Sequence, residues 1–90
     1  MRGSMTFEAA ETLALKGLVY LAGSPDDMER FMALSGIGLD EIRAQAGEPE
    51  FLASVTDFLL ANEALLIGFC EAETLDARAV HQARHLLGGA

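Results

Sequence analysis

Capped starts and glycine stops recur along the whole of this sequence, and that punctuation confines the chain to short helices. Ser24-Pro25-Asp26-Asp27 carries the clearest start. It combines a hydroxyl suited to capping, a proline at the first helical position, where no N–H is needed, and two carboxylates at the positive end of the helix dipole. The helix so begun runs through Met28, Phe31, Met32 and Leu34 and stops at Gly36, the residue that most readily adopts the left-handed conformation after a helix. No segment shows the apolar–polar alternation of a half-buried strand.

The other segments follow the same logic. Thr6 caps a first helix with Phe7, Ala10, Leu13, Ala14, Gly17, Leu18 and Leu21 at helical spacing. A short third helix turns Ile42 inward and ends at Gly47. Pro49 opens a fourth with Phe51, Leu52, Val55, Phe58 and Leu59 on one face, and Asn62-Glu63 marks a tight break and a new cap. Asp76 caps a sixth helix that buries Val80, Ala83 and Leu87. The expected fold is therefore all-α, a compact bundle of six short helices over 6–22, 25–35, 40–46, 49–60, 63–72 and 76–87. The fourth and fifth are apolar nearly all the way round, so they are expected to form the central pair.

Sliding the chain on itself by 38 residues brings Leu21 onto Leu59, Ser24 onto Asn62, Phe31 onto Phe69, Ile37 onto Leu75 and Ile42 onto Val80. That register predicts two pseudo-repeated three-helix units, with Phe31 and Phe69 in equivalent buried positions.

Met1-Arg2-Gly3-Ser4-Met5 reads as a vector-derived leader ahead of a start at Met5, leaving 6–90 as a single helical domain. Setting Arg2 aside leaves five Lys and Arg of the six, against 14 Asp and Glu. So negative a chain repels phosphate backbones and anionic membrane surfaces, which argues against nucleic-acid and membrane partners. The longest apolar run, Ala64 to Cys70, falls far short of the roughly 20 residues a membrane-spanning helix requires. With no signal peptide before Thr6, and Cys70 alone and unable to form an internal disulfide, the expected compartment is the reducing cytoplasm.

Several segments resemble a small bacterial, alphaproteobacterial family known as domain of unknown function 3572. They are Phe31-Met32-Ala33-Leu34-Ser35-Gly36, Glu48-Pro49-Glu50-Phe51-Leu52-Ala53, the run from Asp57 to Leu66, and the closing Leu86-Leu87-Gly88-Gly89. The resemblance spans Thr6 to Gly89. Family members tend to carry proline near the starts of the third and sixth helices, where this chain has Asp40 and Asp76. The resemblance implies an all-helical protein with no assigned activity and no functional residues to carry over.

Chemistry-bearing groups are sparse. His81 and His85 stand four apart on one helix, the spacing of metal ligands, and a site there needs a third ligand from Glu71, Glu73 or Asp76. The favoured reading is two ordinary surface histidines near a helix C-terminus, where the dipole favours a positive imidazolium. Cys70, between Phe69 and Glu71, reads as a structural thiol, because a nucleophile needs a base and an electropositive setting. Asp26-Asp27 and Asp40-Glu41 are carboxylate pairs at helix starts, where acids serve the dipole. Gly36-Ile37-Gly38 lacks the Lys and Thr of a phosphate loop.

With two His, one Cys and one Tyr, the chain is expected not to be an enzyme and to need no cofactor. The apolar fraction of 51% against 22% charged residues implies either a generous core for the size or apolar surface that meets a partner. That surface is expected on the first helix, where Leu15 and Val19 project opposite the core face, with Tyr20 and Ala22 at the edge. The expected function is thus a non-enzymatic module that binds another protein or its own copy. The alternatives are a small ligand- or metal-binding regulator using the last helix, and an accessory subunit of an enzyme.

Overall fold

The computed structural model describes residues 5–88, so the leader expected over Met1–Ser4 lies outside the described residues, as does Gly89. Six helices follow one another: α1 (Phe7–Ala22), α2 (Pro25–Ser35), α3 (Leu39–Gln45), α4 (Pro49–Ala61), α5 (Glu63–Glu73) and α6 (Ala77–Leu87). Among the described residues there is no strand. The protein is an all-α bundle measuring 40 × 25 × 17 Å.

The helix ends show how local chemistry sets these bounds. Thr6 Oγ1 accepts from Ala9 N at 3.0 Å, and Asp76 Oδ1 accepts from Arg78 N at 2.9 Å, so both anticipated caps form. Ser24 occupies the cap of α2, but its hydroxyl bonds no helix N–H. It donates to Asp27 Oδ2 at 2.9 Å, a charge-assisted bond within the first turn. Asn62 turns backward, donating from Nδ2 to Phe58 O at 2.7 Å and closing α4 rather than capping α5. The third helix begins at Leu39, one residue ahead of Asp40, with the Glu41 carboxylate accepting from Gly38 N at 2.9 Å. Gly36 ends α2 with φ of 74°, and its N–H donates to Met32 O at 2.8 Å. Thr74 ends α5 in the same left-handed region, φ 55°, without glycine's freedom.

The centre of the bundle differs from the expected pairing of the fourth and fifth helices. The most extensive helix contacts link α1, α4 and α6 to one another, and α4 alone of the expected pair is central. α4 buries seven residues, Phe51, Leu52, Ala53, Val55, Thr56, Phe58 and Leu59. α5 buries only Phe69 and Cys70, and Ile67 is 49% exposed. α5 leaves α4 at 110° across the single residue Asn62, which carries its apolar surface away from the centre. α6 takes the vacated place because its small Ala83, between Val80 and Leu87, lets it seat closely in the angle between α1 and α4. Other apolar side chains also face outward, among them Phe7, before the first full turn of α1, at 43% exposure, Leu34, off the inward stripe of α2, at 78%, and Leu39, at the start of α3.

One continuous core results. Phe31 meets Phe51 and Phe58 edge-on, at ring separations of 5.9 and 5.4 Å, joining α2 to α4. Thr56 is the one buried polar side chain among the described residues, and its hydroxyl donates to Ala53 O at 2.7 Å. Phe31 and Phe69 are both buried, as are Ile42 and Val80. The third helices nevertheless occupy different settings, α6 at the centre and α3 at the margin, held inward by Ile42.

No single described helix is long and apolar enough to cross a membrane. α4 and α5 reach that length only together, across their bend.

Candidate functional site

α1 presents two faces because its sequence carries two apolar stripes. Ala10, Leu13, Ala14, Gly17 and Leu21 recur at helical spacing and are buried. Leu15 and Val19 stand one turn apart on the far side, at 39% and 71% exposure. Ala22 is exposed in the last turn. Tyr20 is half-buried, with its ring tilted against Phe69 at a centroid distance of 5.7 Å. Its hydroxyl lies directly over Gly68, where any side chain would collide with it.

These residues line a shallow depression of about 350 Å³, whose walls are Thr12, Leu15, Lys16, Val19, Tyr20 and Glu73. Lys16 Nζ reaches Glu73 Oε1 at 3.7 Å and ties α1 to the end of α5. Leu15, Val19 and Tyr20 are thus brought together as expected, and Ala22 lies outside the depression. Glu73, considered from sequence only as a metal ligand, stands here instead, and Gly68 carried no signal. Their roles depend on how α5 approaches α1, and no local pattern encodes that approach.

The chain as a whole presents net negative charge for a structural reason. All five described Lys and Arg side chains lie within 4.0 Å of a carboxylate: Lys16 with Glu73, Arg30 with Asp27, Arg43 with Asp40, Arg78 with Asp76, and Arg84 with Asp57. Nine of the 14 acidic residues have no such partner among the described residues. Arg30 does most to join elements. It donates to Asp27 Oδ1 at 2.6 Å and to Asn62 Oδ1 at 3.1 Å, and its guanidinium sits 5.6 Å over the Phe58 ring. The Arg30 hydrogen bond, followed by that from Ser24, holds the Asp27 carboxyl below its ordinary value of 3.8.

The remaining candidates stay apart. His81 and His85 are exposed on α6, and among the described residues no three His, Cys, Asp or Glu side chains gather closely enough to hold a metal ion. Glu71, Glu73 and Asp76 therefore do not complete a ligand set with them. Cys70 is buried beneath α5, and desolvation, assisted by the charge of Asp76, pushes its thiol up from its ordinary value of 9.0. Such a thiol stays protonated at neutral pH. Asp26 and Asp27, and likewise Asp40 and Glu41, occupy first helical turns, and Gly36 is a helix stop.

The fold and surface define a small helical bundle whose outward features are apolar stripes set in an acidic field. Residues 7–90 match the family described as protein of unknown function, DUF3572, and the chain belongs to that family. No curated protein and no solved structure matches it.

Proposed function

We propose that the protein is a non-enzymatic, cytoplasmic interaction module that holds a protein partner on the outer face of α1. The observation that carries this reading is the exposure of Val19, 71%, one turn from Leu15 on a helix whose other face is fully used by the core. An aliphatic pair beside a fixed tyrosine is the kind of small apolar anchor on which helix-mediated recognition rests. Tyr20 is positioned by Phe69 and Gly68, so its ordering cost is met before a partner arrives.

The test compares the wild-type chain with a Leu15→Glu, Val19→Glu variant. The variant is expected to keep its helical circular dichroism and its urea midpoint while losing the protein that co-purifies with the wild type from its own cell. Identical partner profiles for the two chains, each measured at matched expression, would overturn the reading. Sedimentation across a concentration series separates self-association through the same face from capture of a different protein.

A further inference from the structure

We infer that the groove between α5 and the start of α6 is a second docking site, and that its occupant is a cationic amphipathic helix of a partner protein. It lies apart from the outer face of α1 and does not depend on it.

The groove encloses about 640 Å³. Leu66, Cys70, Leu75 and Ala77 form its floor, and Ile67 and Glu71 form its outer ridge. It exists because α5 is apolar beyond what the fold uses: Leu66 is half-buried and Ile67 is 49% exposed, although α5 sits against both α4 and α6. The left-handed Thr74 then turns the chain sharply, so α6 begins beside α5 and leaves an elbow between them.

Shape and charge together select the occupant. Leu66 and Cys70 stand one helical turn apart, and Ile67 and Glu71 form a parallel row one turn apart. Two such rows make the ridge-and-groove surface on which another helix lies with anchors at i, i+3, i+4 and i+7. Asp76 closes one end of the groove, already shared with Arg78, whereas Glu71 has no basic partner among the described residues. All five described Lys and Arg side chains are already paired, so the rim at Glu71 keeps a negative charge that a cationic partner complements. A second copy, an anionic bilayer or a nucleic acid brings the same sign of charge and is repelled. A helix with leucine-like anchors on one face and Lys or Arg along its edges satisfies the floor and the rim at once.

The experiment titrates the full chain with three synthetic peptides of equal length. One is a leucine/lysine helix with leucines at i, i+3, i+4 and i+7, one has glutamate in place of lysine, and one is the leucine/lysine composition scrambled. The ordered leucine/lysine peptide is expected to bind one to one and to shift the amide resonances of Leu66, Ile67, Cys70 and Leu75. Glu71→Lys and Ile67→Asp, both at exposed positions, should each weaken it roughly tenfold or more while helicity is retained. Leu15→Glu, Val19→Glu should leave its affinity unchanged. Equal binding of the scrambled or glutamate peptide, indifference to Glu71→Lys, shifts confined to α1, or self-association of the chain through α5 would each overturn the inference.

Discussion

Gly17 and Leu59 meet where α1 crosses α4: a β-carbon added to Gly17 would stand 2.9 Å from Leu59 Cδ1 and 3.5 Å from Val55 Cγ1. Leu59 is fully buried and has nowhere to move. Gly17→Ala gains about 1 kcal/mol of helix propensity, but overpacking a full core costs about 1–3 kcal/mol. A net loss is therefore expected, seen as a lower urea midpoint. Adding Leu59→Val should recover part of it, making the double variant more stable than the sum of the singles. An increase in stability for Gly17→Ala alone would mean that α1 and α4 are not in such close contact.

The two buried phenylalanines offer a larger effect. Phe31 is edge-on to Phe51 and Phe58, and Phe69 supports Tyr20. Truncating either to Ala is expected to cost about 3–5 kcal/mol, a large share of what a domain this small possesses. Both variants should show most of their helical circular dichroism lost at 37 °C, and Phe→Leu at either site should restore it. A Phe69→Ala chain as stable as the wild type would show that α5 contributes little to the core.

Thr74 predicts a change in the opposite direction. Its φ of 55° places a β-branched side chain where glycine is favoured, and the turn is closed by Leu75 N–H donating to Cys70 O at 2.8 Å. Relief of about 1–2 kcal/mol of left-handed strain, less glycine's greater unfolded-state entropy, gives Thr74→Gly a net gain of a few tenths to about 1 kcal/mol. Thermal unfolding should shift upward by a few degrees. A downward shift would show that the turn is not held in this conformation.

The helices were legible because their end signals are local: Pro25, Gly36, Pro49 and Asp76 act through neighbours within four residues, and the observed bounds follow them closely. The inward stripes of α1, α4 and α6 were legible from spacing, as were the outward positions of Leu15 and Val19. Which helix stands at the centre was not. α5 is as apolar as a core helix, but the 110° turn at Asn62 points it aside, and the direction of that turn is fixed by distant partners such as Arg30. The same applies to the Tyr20–Gly68 approach and the Lys16–Glu73 pair, which exist only once α5 has been placed.

Acid should loosen the corner where α2 meets the α4–α5 junction. Asp27 has a folded-state pKa lowered chiefly by its hydrogen bond from Arg30, then by that from Ser24. A lowered folded value means the stabilisation is fully present above the ordinary 3.8 and is lost as pH falls through the folded value. The many unpaired carboxylates pull the other way, because protonating them relieves repulsion, so total stability is the wrong readout. The informative quantity is the difference in urea unfolding free energy between the wild type and Asp27→Asn. It should be constant from neutral pH to about pH 5 and should narrow below 3.8. Arg30→Ala should lose stability over the same range in the wild-type background and lose its pH dependence when Asp27→Asn is already present. A wild-type-to-Asp27→Asn difference that stays flat down to pH 2 would show that Asp27 titrates alike in the folded and unfolded chains, and that the Arg30 contact does not persist in solution.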